Sequence, residues 1–338
     1  MRRDCAAQLI RCGMVNSSAR IAWRLFHLNW IPIAAMGGVL LFGVILGGFS
    51  FEPVAALIPT AIAAALALIV YLYAFAKADQ ADPKLIFSLG AISQLFFVVI
   101  IMGPLTYVTG VANWPLQDHA LLAIDRAMGM DPEVVARYVN DHDWLSGLLL
   151  RSYGLIKIML LAVPVALTLT LRLVRLQMFV FAFSIALIIT VAISTFVPAV
   201  GTWYGLDIAP SQFAALDSSL YTAQLRDILG LRDGSLRHLE MFKLTGIVSF
   251  PSFHAASAVL YMWALWPVRF VGPLAAALNL LMIASTPVIG AHYMIDVFGG
   301  VALAAISILL GKYFLDAVAP ASATQAAQPA AALVPVLD

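Results

Sequence analysis

Eight long apolar stretches alternate with polar connections along the chain. Each stretch is close to the roughly 20 residues that a helix needs to cross a bilayer. They lie near 28–51, 54–76, 84–108, 152–172, 177–200, 250–269, 271–291 and 293–315. The pattern predicts an all-α fold, a polytopic membrane helix bundle with about eight transmembrane helices.

Two of the connections, 109–151 and 201–249, are long and polar. The first contains the amphipathic pieces "LLAIDRAMGM" and "PEVVARYV". The chain ends in "APASATQAAQPAAALVPVLD", which is rich in alanine and proline and predicts a disordered tail.

Composition excludes a soluble domain, because the exterior of such a domain must be mostly polar. Hydrophobic residues make up 62% of the chain and charged residues only 11%. The formal net charge of +1 gives no reason to expect a nucleic-acid partner. Cys5 and Cys12 both precede the first apolar stretch, so they predict no disulfide framework and a reducing side for the N-terminus. That stretch is too long for a signal peptide and is interpreted as a retained span.

Lysine and arginine in short loops favour the cytoplasmic side of a membrane protein. The N-terminal segment carries five arginines, and further cations lie in the connections after the second, fourth and sixth stretches and at the end of the eighth. This distribution predicts that both termini face the cytoplasm, in an inner or plasma membrane. Both long polar segments and the start of the sixth stretch then face the extracytoplasmic side.

The sixth stretch opens with "FPSFHAASAVL", which places Ser252 and His254 at the start of a membrane helix. Ser249 or Ser252 can cap this helix, and Pro251 suits its first position. The free N–H groups and the dipole at such an end favour an anion. The alternative is that Ser252 is only a cap and His254 only an interfacial histidine.

A second polar segment, "STPVIGAHYMIDVFGG", joins the last two stretches. Pro287 and Gly290 should end the seventh helix, so that the eighth begins near His292 and shares one face between His292 and Asp296. An aspartate in a membrane helix is costly unless it is paired. We expect its carboxylate to accept the Nδ1–H of His292 and to leave Nε2 basic, as in a histidine nucleophile or base. The alternative is a pair that only tethers the helix end.

The two segments lie at neighbouring helix ends on the same predicted side of the membrane. No cysteine or acidic cluster has the spacing of metal ligands, so we expect no metal and no other cofactor. An anion pocket with two histidines suits phosphoryl transfer, in which one histidine attacks phosphorus and the other protonates the leaving oxygen.

The motif "PSFH" followed by "ST-x5-H-x3-D" resembles the second and third signature motifs of the type 2 phosphatidic acid phosphatase superfamily. That superfamily includes lipid phosphatases and vanadium haloperoxidases. The segment "GIVSFPSFHAASAVL" looks most like its inositolphosphotransferase branch, which includes inositol phosphorylceramide synthases. By this resemblance, His292 is the nucleophile that forms a phosphohistidine, Asp296 orients it, His254 is the general acid and Ser252 binds a phosphate oxygen.

The resemblance covers roughly 177–315 and implies a metal-independent phosphatase or phosphotransferase that acts on a lipid phosphate in the bilayer, with phosphoinositol transfer as one form. It divides the chain into a cytoplasmic N-terminal segment with two added helices, a phosphatase-like catalytic membrane domain of six helices, and the tail. The boundaries are 1–83, 84–316 and 317–338.

Two departures from the family pattern concern cations. The third motif usually has arginine where this chain has Thr286, and the lysine and arginine of the first motif are not evident in "FVPAVGTWYGLDIAP". Loss of the first motif is itself typical of the inositolphosphotransferase branch. We expect Lys243 to replace part of the missing charge, with Arg237 or Arg232 as further candidates. The alternative for each is an ordinary juxtamembrane cation.

Three other charged residues are expected to have structural roles. Lys157, inside the fourth stretch, should snorkel to the interface or pair with a buried acid. Asp118 and Asp125 fall seven residues apart on an amphipathic helix. We expect them to form the solvated side of that helix rather than a site.

Two rival functions use the same residues differently. His292 and Asp296 would serve a proton-coupled transporter or lipid flippase as a proton relay. The sequence shows neither an internal repeat nor matched interrupted helices, which such a transporter would favour. A non-catalytic lipid-binding membrane scaffold is the other rival, and the missing cations support it.

Overall fold

The computed structural model describes residues 18–77 and 81–318 and is mostly helical there, with very little strand. The first seven helices are α1 (Ser18–Gly47), α2 (Pro53–Lys77), α3 (Pro83–Gly110), α4 (Asp118–Ala127), α5 (Pro132–Asn140), α6 (Asp143–Tyr153) and α7 (Leu155–Leu169). The remaining six are α8 (Leu173–Phe196), α9 (Thr202–Gly205), α10 (Ser219–Asp233), α11 (Phe253–Leu265), α12 (Val271–Ile289) and α13 (Met294–Val318). The all-α polytopic fold is confirmed.

Six of these helices, α1, α2, α3, α8, α12 and α13, are long and apolar enough to cross a membrane. The chain is therefore an integral multi-pass membrane protein. The fourth predicted span is the second half of a bent pair, because α6 and α7 meet at 42° around Gly154. If this pair crosses as one unit, it makes a seventh span.

The sixth predicted span is shorter than the sequence suggested. Helix α11 has 13 residues, which at 1.5 Å per residue gives a length of about 20 Å, against about 30 Å of hydrocarbon. The helix starts at the buried cap Ser252. Helix α1 also departs from its predicted start near 28, because helical residues begin at Ser18 and continue past a turn at Asn29.

Helix α8 lies in the middle of the bundle. It packs against α3, α11 and α13, and 67% of its apolar window is buried. Helices α1 and α2 pack on α3, and only 11% and 17% of their windows are buried. The outer pair therefore presents most of its surface to lipid, which solvates apolar side chains as well as a protein core does.

A short strand pair fixes the loop between α1 and α2 to the second long polar segment. Strands β1 (Ser50–Phe51) and β2 (His238–Leu239) are parallel, and Arg237 lies over the ring of Phe49 at 5.1 Å from its centroid. This loop therefore lies at the same end of the bundle as 201–249.

Several cations cluster at the opposite end, where α7 meets α8 and α11 meets α12. Arg172 donates to the carbonyl of Pro267 at 2.8 Å, and Arg175 donates to the carbonyls of Ala264 and Trp263. Arg269 lies in the same α11–α12 turn. These are cations of the predicted cytoplasmic side, and the orientation itself stays a prediction.

The predicted tail and both cysteines fall largely outside the described residues. Helix α13 continues to Val318, two residues into the predicted tail, and 319–338 are not described. Cys5 and Cys12 lie in the undescribed segment 1–17.

Candidate functional site

His292 and Asp296 lie where α12 ends and α13 begins. Their predicted contact is confirmed, since His292 Nδ1 lies 3.1 Å from Asp296 Oδ2, and both side chains are buried. Helix α13 begins at Met294, within two residues of the predicted start near His292, but His292 itself precedes the helix, so the two residues do not share a helix face. Instead Asp296 reaches back from the first turn and also accepts the N–H of Tyr293 at 3.1 Å.

The hydroxyl of Ser249 completes the surroundings of this carboxylate. It donates to Asp296 Oδ2 at 2.7 Å, whereas Oδ1 is buried with no hydrogen-bond partner among the described residues. Because the carboxylate accepts from Nδ1, the imidazole of His292 has its lone pair on Nε2. From sequence, Ser249 was a candidate helix cap, and this role was missed.

The N-terminus of α11 packs directly against the start of α13. Ser252 caps α11 by accepting the N–H of Ala255 at 3.4 Å, and its own N–H donates to the Asp296 carbonyl at 2.9 Å. Pro251 precedes this cap instead of occupying the first helical position as predicted. Ser252 is fully buried, and its contact with a phosphate oxygen stays a prediction.

Glycine at position 300 permits this close approach. A Cβ atom there would lie 2.2 Å from the carbonyl oxygen of Ser252 and 3.0 Å from the Cβ of Ala255. The two polar segments singled out in the sequence are therefore in contact backbone to backbone, and any side chain at 300 would separate them.

Tyr153, the last residue of α6, lies between the two histidines. Its ring stacks on His254 with centroids 3.9 Å apart and planes 12° from parallel. Its hydroxyl and His292 Cδ2 lie 2.8 and 2.7 Å from the same point, the position that a Cβ atom on Gly290 would occupy. His254 also interacts electrostatically with His292. The structure thus brings both histidines to one place, and sequence reasoning missed Tyr153 because no motif includes it.

Asp125 binds the N-terminus of α13. Its carboxylate accepts the N–H groups of Met294 at 2.7 Å and Ile295 at 2.9 Å. These are orphan donors of the first helical turn, where a negative charge is also favoured by the helix dipole. The expectation that Asp125 is solvated is therefore wrong, since its side chain is fully buried.

Asp118 is buried as well, so the same expectation is wrong for it. Its carboxylate accepts the N–H of Val200 at 3.0 Å, the N–H of Gly201 at 2.8 Å and the hydroxyl of Tyr293 at 2.9 Å. Burial raises the pKa of Asp118, and these hydrogen bonds oppose that rise.

Gly201 belongs to the segment that stands where the first family motif was sought. It has φ of +132°, and a Cβ atom there would lie 2.4 Å from the carbonyl oxygen of Ala291. That carbonyl accepts the N–H of Thr202 at 2.8 Å. This segment therefore braces the residue next to His292.

The predicted phosphate-binding cations have other partners in the structure. Lys243 pairs with Glu240 at 2.8 Å, Arg237 donates to the carbonyl of Leu236 at 2.8 Å, and Arg232 donates to that of Trp114 at 2.9 Å. Within the described ranges, no contact joins these three cations to His254 or His292. Their binding to phosphate stays a prediction.

Lys157 acts electrostatically on His254 from the first turn of α7. Its side chain is exposed, and it has no ion-pair partner in 18–77 or 81–318, so the predicted pairing with a buried acid is not seen. Thr286, which replaces the motif arginine, is fully buried and donates to the Met282 carbonyl of its own helix at 2.9 Å.

Comparison with known proteins gives one match. A family model described as the PAP2 superfamily matches residues 119–310, which is more than half of the chain. The match runs from α4 into α13 and includes both histidines. No curated protein and no solved structure matches. The chain belongs to the PAP2 superfamily, and this membership supports a phosphatase-like function on lipid phosphates.

Proposed function

We propose that the protein is a metal-independent lipid phosphatase or phosphotransferase that works through a phosphohistidine. The observation that carries the proposal is the buried contact between His292 Nδ1 and Asp296 Oδ2 beside His254. It supplies a nucleophilic nitrogen, a group that fixes its tautomer and a second histidine for proton transfer.

In the first step, the Nε2 lone pair of His292 forms a bond to phosphorus while the bond from phosphorus to the leaving oxygen breaks. His254, protonated once the phosphate anion is bound beside it, gives its proton to that oxygen. In the second step, the oxygen of water or of an acceptor alcohol bonds to phosphorus, the N–P bond breaks and His254 takes the proton. Asp296 and Ser249 keep His292 oriented throughout.

The phosphate itself needs positive groups around its oxygens. The N-terminus of α11, capped by Ser252, carries free N–H groups and a helix dipole that favour an anion, and His254 lies in its first turn. Ser252, Lys243 and Arg237 are the phosphate-binding residues that the sequence predicts, and the bilayer would deliver the lipid substrate.

The reaction would take place on the extracytoplasmic side of an inner or plasma membrane. The cations Arg172, Arg175 and Arg269 lie at the end of the bundle away from the histidines, which supports this orientation under the positive-inside rule. A single cysteine at exposed Ser235, in a chain with Cys5 and Cys12 replaced by serine, should react with an impermeant maleimide added outside the cells. Labelling only after the cytoplasmic side is opened would reverse the orientation.

Turnover by the purified protein in EDTA tests the chemistry. The substrates are phosphatidic acid, an isoprenyl pyrophosphate, and phosphatidylinositol together with ceramide. We expect free phosphate or a transferred headgroup from at least one of them, and a loss of at least about 1,000-fold in His292→Ala. Transfer of the headgroup to ceramide would identify the protein as a phosphoinositol transferase, whereas release of free phosphate would identify it as a phosphatase.

His27→Ala is the matched control, because His27 is an exposed histidine on the outer helix α1. Absence of product from every substrate would favour the non-catalytic scaffold. Undiminished product from His292→Ala would exclude the phosphohistidine route.

A further inference from the structure

The missing family cations leave the phosphate of a bound substrate with few identified partners. Thr286 binds its own helix, and Lys243 is paired with Glu240. The side chains beside His254 and His292 are therefore the remaining candidates for binding the phosphoryl oxygens.

Tyr153 has the right position and an unused hydroxyl. Its ring covers one face of His254, and its hydroxyl is a neighbour of the His292 imidazole across Gly290. Among the described residues, no group hydrogen-bonds to that hydroxyl. A phenolic O–H that faces a phosphohistidine site is a donor without an acceptor until an anion binds.

Lys157 follows Tyr153 by four residues, across the bend at Gly154. It is the only charged residue of α7, whose sequence is otherwise apolar or neutral. Ionisable residues in apolar membrane helices are rare and often mark functional sites. It interacts electrostatically with His254 and lies, exposed, in the helix that packs beside α11. A flexible ammonium group on this helix can reach an anion held at the histidines.

We infer that the segment 153–157 replaces the missing motif cations. The hydroxyl of Tyr153 donates to one phosphoryl oxygen of the lipid substrate, and the ammonium of Lys157 neutralises the charge of another. The inference rests on the proposed function, because it names further substrate-contacting residues of the same site.

Orthovanadate is a suitable probe because it mimics a phosphoryl group and its binding needs no turnover. Binding to the purified full-length protein is measured by thermal shift and, where turnover is present, by inhibition. Tyr153→Phe keeps the ring that stacks on His254 and removes only the hydroxyl. We expect its vanadate Kd to rise about tenfold, as for loss of one hydrogen bond to a charged group.

Lys157→Met should raise the vanadate Kd by about tenfold or more, and Lys157→Arg should restore most of the affinity because it keeps the charge. Tyr313→Phe and Lys312→Met are the matched controls, since both side chains are exposed at the far end of α13. These controls should bind vanadate like the wild type. A purely structural role of Tyr153 would leave vanadate affinity unchanged in the phenylalanine variant.

Wild-type vanadate affinity in both Tyr153→Phe and Lys157→Met would overturn the inference. If Lys243→Ala then loses affinity, the charge comes from the outer segment. The proposed function fails differently: the wild type would release no product, whatever the vanadate affinities of the variants are.

Discussion

Two regions of the same chain follow opposite rules. At the start of α13, buried polar groups from three other segments, at Asp118, Gly201 and Ser249, converge on the side chains of Tyr293 and Asp296. In the outer pair α1 and α2, apolar side chains such as Ile45, Leu46 and Leu57 are largely exposed. Both regions lie in or next to the membrane, but only the first depends on the exact placement of polar atoms.

The difference follows from what lipid can and cannot replace. Lipid tails replace protein as neighbours of leucine at almost no cost. Lipid tails cannot donate the hydrogen bonds that Asp118 and Asp125 accept from backbone N–H groups. Loss of those bonds would leave an unpaired buried charge, which costs several kcal/mol. Substitutions among the buried polar groups at the start of α13 should therefore lower turnover or stability strongly, whereas substitutions in the outer pair should change stability little.

Asp296→Asn should give the largest effect. The amide can present its N–H₂ to His292, which would favour the wrong imidazole tautomer, so we expect turnover to fall by about 10³ to 10⁴-fold. The measurement is kcat on whichever lipid the wild type uses, with circular dichroism to verify the helical fold. Asp316→Asn, an exposed aspartate late in the same helix, should keep wild-type kcat. A kcat within tenfold of wild type in Asp296→Asn would mean that Asp296 does not set the tautomer.

Gly300→Ala compares the two regions with a single methyl group. At position 300 the new Cβ atom would meet the Ser252 carbonyl oxygen at 2.2 Å, so α11 and α13 must separate, at a cost of about 1–3 kcal/mol. Gly38→Ala in α1 is the control, because a Cβ atom there meets no atom within 4 Å. Thermal unfolding in detergent should show a lower Tm for the first variant and an equal or higher Tm for the second. Equal Tm values would show that the two helices are not in backbone contact.

The sequence predicted those parts of the molecule that depend on local pattern. Apolar stretches of helical length located each of the six described helices that are long and apolar enough to span a membrane. The spacing of His292 and Asp296 predicted their contact. Helix boundaries were less accurate, and α11 is short because its start is set by the buried Ser252 cap, a tertiary feature.

The residues that could not be predicted are those whose role depends on a distant partner. The seven-residue spacing of Asp118 and Asp125 places both on one face of a helix. It does not determine whether that face contacts water or the N-terminus of another helix. Here Met294 and Ile295, about 170 residues away, supply the donors to Asp125. Tyr153 was missed for the same reason, since only the fold brings it to His254.

The pH dependence of stability tests the buried carboxylate of Asp118. Burial raises its pKa in the folded protein above the value of about 3.9 for an unfolded aspartate. The protonated form therefore contributes stability that is fully present below about pH 3.9 and is lost as pH rises through the folded pKa. Asp118→Asn does not titrate but keeps an oxygen for Val200 and Gly201. From pH 4 toward neutrality, the stability of the wild type should fall relative to this variant in urea or thermal unfolding. A constant difference across this range would show that the folded pKa is not raised.

Leu46→Ala in the outer pair should give the smallest effect. The side chain is 70% exposed, so its truncation exchanges leucine–lipid contacts for alanine–lipid contacts and should change the free energy of unfolding by less than about 0.5 kcal/mol. Leu176→Ala in α8 is the counterpart, since Leu176 is fully buried and its truncation leaves a cavity worth about 2–5 kcal/mol. Unfolding of both variants in the same lipid–detergent mixture gives the comparison directly. A loss of unfolding free energy in Leu46→Ala as large as that in Leu176→Ala would mean that protein, not lipid, covers the outer pair. The proposed difference between the two regions would then be wrong for α1 and α2.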